Sequence, residues 1–431
     1  MKKIGMLSLG CAKNLVDSEM MLAMFDKSRY ALVNDPKEAD LIIVNTCGFI
    51  ASAKEESINA ILEMATYGKK LVVTGCLAQR YTDELRNTIP EADMIIPISE
   101  YANLNELFAK VLGDEKEGIA PLDPLKREIS TPDYCAYLRI SEGCNNFCSF
   151  CAIPYIRGRF VSRPYEEIIE EAKLLKEKGI KEISVISQDT MHYGCDFKGG
   201  RPNIVDLMKE LDGMGFYSIR LLYLYPEEIP DEMIDLIANS KSIKHYFDIP
   251  VQCASDHLLK LMNRHGTKEE MMRLFKLIKE KVPDAILRTT LIAGFPGETE
   301  EDFKETMEFL DEVRFDHMGC FAYSREEGTA GYKMKNQVPD KLKEERRALL
   351  MGHQRKISYE RNRTHIGEIM EGIVIKVNKD GEYTLRSSWN APDEIDGNIY
   401  FKSKRPLKSG DIVKVKITNA FVYDLMGEEV I

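Results

Sequence analysis

Cys144, Cys148 and Cys151 stand in the run CNNFCSFC, the feature that most narrows what this 431-residue chain can fold into. Three thiolates within eight residues can wrap one soft metal centre. The odd number matters more than the closeness. A structural zinc site wants four ligands and usually builds them from two Cys-x2-Cys pairs. A cubane iron–sulfur cluster has four irons, so three cysteines leave one iron without a protein ligand and open to bind something else.

The rest of the composition fits a soluble cytoplasmic enzyme. The length allows two or three domains, and apolar residues at 44% with charged residues at 30% are ordinary for globular chains. A net charge of −11 argues against non-specific attraction to nucleic acid or anionic membrane and is compatible with a basic partner. No apolar run approaches a membrane span. The start, MKKIGMLSLGC, has two lysines and a Gly-Cys like a lipoprotein signal, but its apolar stretch is too short for one. Ten unevenly spaced cysteines favour metal or thiol chemistry over disulfides.

Residues 1–125 alternate short apolar runs with amphipathic stretches. Lys3–Leu9, Leu41–Asn45, Leu71–Thr74 and Met94–Ile98 read as buried strands; Asn14–Phe25, Ala51–Met64, Tyr81–Asn87 and Leu104–Leu112 read as helices. Such alternation implies an α/β domain with a parallel sheet. Cys11 follows the first of these strands, Cys47 the second and Cys76 the third. Open α/β sheets bind ligands at the carboxyl ends of strands, so three cysteines there can converge although some thirty residues separate them. A second three-cysteine cluster with an open iron is the expectation.

In residues 134–338 the alternation resumes. Six strand candidates (Ala136–Ile140, Glu182–Ser187, Ser218–Tyr223, Lys244–Ile249, Ala285–Ile292 and His317–Tyr323) imply a partial TIM-type (β/α)6 barrel. The CNNFCSFC run follows the first, at the end where barrel enzymes place their chemistry. Loops after later strands carry Gln188-Asp189, Asp248 with Gln252, and GFPGE, in which Gly294, Gly297 and Glu298 could bring backbone amides near a carboxylate or ribose. A GxxG turn is also an ordinary loop turn.

A charged helical connector, residues 339–362, leads to residues 363–431, where four period-two segments separated by turns such as Lys379-Asp380-Gly381 imply a small all-β, OB-like barrel. Such barrels often bind RNA. Here ten Lys plus Arg face eleven Asp plus Glu, whereas RNA-tracking domains are normally basic. Asp393–Asp396, DEID, adds an acidic loop, either solvated or a docking element. Cys135, Cys195, Cys253 and Cys320 read as buried thiols, the seven histidines show no metal-ligand spacing, and Trp389 is a contact residue or a barrel plug.

The Cys144–Cys151 spacing resembles the radical S-adenosylmethionine superfamily. The stretches SLGCAKNLVDSE, NTCGFI, TGCLAQRY, SEGCNNFCSFCAIPYIRGRF, LRTTLIAGFPGETEEDF and YSREEGTA extend the resemblance to the methylthiotransferases, with a carboxyl-terminal TRAM domain; SLGCAKNLVDSE and NAPDEIDG look most like the RimO type. The resemblance implies two [4Fe-4S] clusters, one on Cys144, Cys148 and Cys151 with S-adenosylmethionine on its open iron, the other on Cys11, Cys47 and Cys76. It implies a 5′-deoxyadenosyl radical that abstracts hydrogen, sulfur insertion at the second cluster, and a methyl group from a second S-adenosylmethionine. Phe150 is placed where related enzymes stack an aromatic near the adenine; core packing is the other reading of it. The implied target is the β-carbon of an aspartate on a basic small-subunit ribosomal protein, free or in the assembled subunit. An electron donor and a sulfur donor are implied as further partners, no membrane is, and a monomer is expected. The other readings are a methylthiotransferase acting on transfer RNA adenosine, and an iron–sulfur electron carrier or scaffold. Sulfur has to meet a short-lived carbon radical, so the cysteine edge of the sheet is expected over the barrel mouth.

Overall fold

The structure is a computed structural model that describes residues 1–114, 118–379, 381–392 and 395–430. Asp380 of the expected turn and Asp393 and Glu394 of the acidic run lie outside the described residues.

The first domain is an all-parallel sheet of five strands. Leu41–Thr46 is buried along its whole length, which is why it reads as an unbroken apolar run. Its side chains alternate between two cores: Leu41 and Ile43 pack with Met21 and Phe108 on one face, Ile42 and Val44 with Ile61 and Leu77 on the other. Lys2–Ser8, Lys70–Gly75 and Met94–Ile96 complete the expected set, and an unexpected edge strand, Tyr30–Val33, pairs with Lys2–Gly5.

The second domain has the six expected strands: Cys135–Arg139, Glu182–Ile186, Ser218–Leu221, Tyr246–Asp248, Ile286–Ala293 and His317–Ala322. They form two three-stranded runs joined where Ile219 N–H donates to Ser242 O at 2.8 Å and Leu224 N–H to Asp248 O at 2.9 Å. The first and last strands do not pair, so this is an open, partial barrel. Three of its outer helices start with capping boxes, Asn203/Asp206, Thr267/Glu270 and Thr299/Asp302, each satisfying backbone donors at the helix start.

Helix Asp340–Thr364 runs along the last barrel strand, tied by Gln354 to Phe315 O (2.7 Å) and by Arg361 to Asp316 (2.8 Å). It delivers the chain to a closed five-stranded barrel of Ile369–Val377, Glu382–Arg386, Ile399–Lys402, Ile412–Ala420 and Leu425–Glu429.

This small barrel stoppers the large one at the end where its strands begin. Arg220 donates to Ser387 O (2.7 Å), His317 Nε2 to Trp389 O (2.7 Å) and the Tyr246 hydroxyl to Asp396 (2.7 Å), while Arg386 pairs with Glu182 (2.6 Å). Trp389 is buried with its ring edge-on to His317 at 4.7 Å, so it is a plug. Asp396 corrects the reading of DEID as an acidic surface loop. Its carboxylate is 1% exposed and faces Arg288 and His317, which, with the Tyr246 hydroxyl, hold its pKa down against burial. The four spare cysteines need correction too: Cys253 and Cys320 are buried, but Cys195 is exposed and Cys135 half-buried. No helix among the described residues is long and apolar enough to cross a membrane.

Candidate active site between two cysteine triads

The first strand of the large barrel feeds a short ladder, Ser141–Glu142 with Val161–Ser162, and the loop between carries the three clustered cysteines. Its backbone is pinned from outside. Ser149 N–H donates to Met262 O (2.8 Å), and Asn263 Nδ2 reaches Asn146 O and Phe147 O (3.0 and 3.2 Å). Inside the loop, Cys151 N–H donates to Cys148 O (2.9 Å) and Ile153 N–H points at Cys151 Sγ (3.5 Å). The thiols are close enough to interact electrostatically. Burial pushes Cys144 up to about 12 and Cys151 higher, with the Cys148 sulfur adding to both. Such thiols do not ionise readily alone; a bound metal deprotonates them outright.

The other three cysteines sit at three adjacent strand ends of the first domain and also converge. Cys11 and Cys47 both bear electrostatically on Cys76, whose pKa burial raises to about 11. Gly10 shows how close the approach is: a Cβ there would lie 2.8 Å from Cys47 Cβ and 3.1 Å from its Sγ, and φ is +89°. Asn14 ties the loops together, donating to Leu9 O and Thr46 O (both 2.9 Å) and accepting from Cys76 Sγ (3.5 Å).

The domain interface runs past Cys76 on one side and the residues after Cys151 on the other. Cys76 packs directly on Ala152 and Ile156, the residues that follow Cys151. Arg157 of the barrel is buried and donates from Nε to Cys76 Sγ (3.4 Å), and it pairs with Asp17 (2.8 Å) and Glu142 (3.3 Å). Arg139 joins the same pair of acids. On one side Lys13 Nζ lies 3.8 Å from the centre of the Tyr223 ring and donates to Ser187 O (3.1 Å). On the other, Glu326 accepts from Lys54 and Arg80 (both 2.9 Å).

The remaining expected positions divide. Phe150 is half-buried, edge-on to Phe295 at 6.4 Å. Gln188 donates to Glu142 (2.7 Å) and keeps a buried Oε1 without a partner. Asp248 is paired with Arg288 (2.7 Å) and accepts from Tyr223 N–H (3.0 Å). Glu298 closes its own turn, accepting from Gly294 N–H (2.8 Å) and pairing with Arg346 (2.8 Å). A Cβ on Gly294 would strike Lys343 Cγ, and one on Gly297 would lie 2.8 Å from Leu261; with φ at +75° and +90°, backbone conformation and packing together account for both glycines.

Sequence reading placed Asp189 in a polar loop but missed its partners: it accepts from Asn146 (2.7 Å) and clusters with His192 and Glu228, their ligand atoms within 4.8 Å of one another. Residues 189 and 192 sit three apart in one loop, but Glu228 comes from the next, so spacing carried no signal. It missed Arg157 as well, an arginine in an Arg-Gly-Arg loop with nothing local to mark it as buried.

Buried acceptors without partners crowd this mouth: Asp189 Oδ1, Gln188 Oε1 and Gln252 Oε1. A ligand bearing an ammonium and ribose hydroxyls supplies the missing donors. Thiol sets and orphaned acceptors therefore fit an iron–sulfur cluster with S-adenosylmethionine.

The sequence matches three family models, the Radical SAM superfamily over residues 138–310, the Uncharacterized protein family UPF0004 over 3–97 and the TRAM domain over 366–430. Ribosomal protein uS12 methylthiotransferase RimO of Clostridioides difficile strain 630 is 47% identical across 99% of both chains. The chain belongs to the RimO family of radical S-adenosylmethionine methylthiotransferases. The RimO protein of Acetivibrio thermocellus is 45% identical over 99% of this chain and 98% of its own. Among solved structures, the radical S-adenosylmethionine methyltransferase TsrM of Kitasatospora setae, with cobalamin and a [4Fe-4S] cluster bound, shares the fold at a TM-score of 0.55 and 14% identity, over 89% of this chain and 81% of that one. In this RimO-family chain the UPF0004 match contains Cys11, Cys47 and Cys76, and the Radical SAM match contains Cys144, Cys148 and Cys151.

Proposed function

We propose that the chain adds a methylthio group to ribosomal protein uS12, at the β-carbon of an aspartate, using two [4Fe-4S] clusters. Cys144, Cys148 and Cys151 would hold the cluster that binds S-adenosylmethionine; Cys11, Cys47 and Cys76 would hold the second. The observation that supports this reading is the clustering of Cys76 with Ala152 and Ile156, which brings one cysteine of the first domain against the segment that follows Cys151. When bound, the clusters and S-adenosylmethionine supply the radical, the sulfur and the methyl group.

The chain's own residues position these groups and exclude water. Gln188 and Phe150 face the cofactor. Asp248 acts through Tyr223, fixing a backbone that stands at φ +62°. Gly294, Gly297 and Glu298 form the adjoining wall. Lys13, Arg157 and Glu326 hold the first domain down over the site. The enzyme works in the cytoplasm as a monomer, with separate donors of electrons and sulfur.

The test is mass spectrometry after the anaerobically reconstituted chain is incubated with S-adenosylmethionine, sulfide, a reductant and either uS12, small ribosomal subunits or transfer RNA. A methylthio group on an aspartate of uS12 is the expected product. Its appearance on a transfer RNA adenosine instead would overturn the assignment.

A further inference from the structure

Arg157 belongs to the barrel, yet it donates to a sulfur of the other domain. It lies six residues after Cys151, and its Nε is directed at Cys76 Sγ at 3.4 Å. The rest of the guanidinium is used up: Asn14 Oδ1 accepts from one Nη, Asp17 (2.8 Å) and Glu142 (3.3 Å) from the other. Asn14 itself accepts from Cys76 Sγ, so sulfur, amide and guanidinium form one buried cluster. The side chain is 2% exposed. A planar five-donor fork fixed on four sides cannot turn away from the sulfur, as a lysine could.

We propose that Arg157 is a positioning residue for the second triad, a barrel-borne hydrogen-bond donor that tunes whatever centre Cys11, Cys47 and Cys76 hold. This rests on the two-cluster reading. Donors to a cluster's cysteine sulfurs, and nearby positive charge, stabilise the more reduced and more negative state and raise its reduction potential. The nearby acids do not cancel the effect at sulfur. Asp17 and Glu142 are shared with Arg139, so the four charges balance among themselves, and what acts at the sulfur is the hydrogen bond that, among the described residues, Arg157 alone donates to Cys76. The potential of the sulfur-bearing centre is then set from the other domain. It takes its full value only when the two domains are docked with Arg157 in place.

The experiment is a reduction-potential titration followed by electron paramagnetic resonance on the full chain, reconstituted with iron and sulfide. In a Cys144→Ala/Cys148→Ala/Cys151→Ala background only the second centre contributes signal. Arg157→Gln is expected to move its potential to a more negative value, and Arg157→Lys to move it less in the same direction. With all six cysteines present, the barrel centre should keep its potential in both variants. Loss of the second centre alone, in a chain that keeps its fold and its barrel centre, supports the inference as well. If Arg157→Gln does not fold, Arg157→Lys, which keeps the charge, decides. An unchanged potential in every variant that folds overturns the role given to Arg157. No iron–sulfur signal at all in the triple-alanine background with Arg157 intact overturns the two-cluster reading itself.

Discussion

Lys13, two residues after Cys11, places its Nζ 3.8 Å from the centre of the Tyr223 ring in the barrel. The same ammonium donates to Ser187 O, so one buried cation joins the first domain to the loops after two barrel strands. Lysine is seldom buried without partners. This one has a carbonyl and an aromatic face.

The pair predicts a measurable coupling. In a double-mutant cycle, Lys13→Met and Tyr223→Leu should each destabilise the docked first domain, with an interaction energy of about 1–2 kcal/mol. Denaturation followed by a probe on the first domain measures it. Additive effects within error would mean that the contact contributes nothing.

Glu326 predicts an acid limit. Burial alone would raise its pKa, but hydrogen bonds from Lys54, Ser324 and Arg80, with the Lys54 charge, outweigh burial and hold it below its ordinary 4.5. A carboxyl whose folded pKa is depressed stabilises fully above its unfolded value and loses that stabilisation as pH falls through the folded one. Docking of the first domain should therefore weaken below about pH 4.5. Glu326→Gln should cost about 3–5 kcal/mol at neutral pH, because Lys54 and Arg80 lose their shared acid, and should flatten the acid slope. Limited proteolysis between pH 3 and 7 reads both.

Iron content separates the two triads. Cys11→Ala/Cys47→Ala/Cys76→Ala and Cys144→Ala/Cys148→Ala/Cys151→Ala should each retain about half of the wild-type iron after reconstitution. Only the first should still cleave S-adenosylmethionine on reduction. Full loss of iron from either variant would point to one shared centre.

Gly294 is held by two separate constraints, φ at +75° and the approach of Lys343. Gly294→Ala should destabilise by about 1–3 kcal/mol. Adding Lys343→Ala should recover only part of that, because it removes Cγ but leaves Cβ (2.8 Å) and Cα (3.0 Å) in the way and the backbone strain untouched. Full recovery in thermal melts would remove strain from the account.

Much of this was legible in the sequence, for physical reasons. Buried parallel strands leave unbroken apolar runs, and a cysteine beside a glycine at their ends (Gly10-Cys11, Cys47-Gly48, Gly75-Cys76) marked Cys11, Cys47 and Cys76 as neighbours before any contact was visible. Tyr30–Val33 escaped because an edge strand of four residues, with Leu32 38% exposed, carries no such run. The last strand, Leu425–Glu429, reads LMGEE and is strand only because partners flank it on both sides. Asp396 was misread because its burial depends on Tyr246, Arg288 and His317 from another domain. Nothing within ten residues distinguishes it from a solvated acid. The domain contacts through Arg157, Lys13 and Glu326 were hidden likewise, since pairing partners separated by up to 272 residues leave no local pattern.

The stopper formed by Trp389 and Asp396 gives the large barrel the shape of a flask. A tunnel lets reactants enter at one end while products leave by the other; a flask imposes a queue. With that end closed, cofactor, spent fragments and target side chain are left the cysteine side, through the neck beneath the first domain and the gap between the unpaired first and last strands. The small cofactor therefore has to load before a protein target covers that neck.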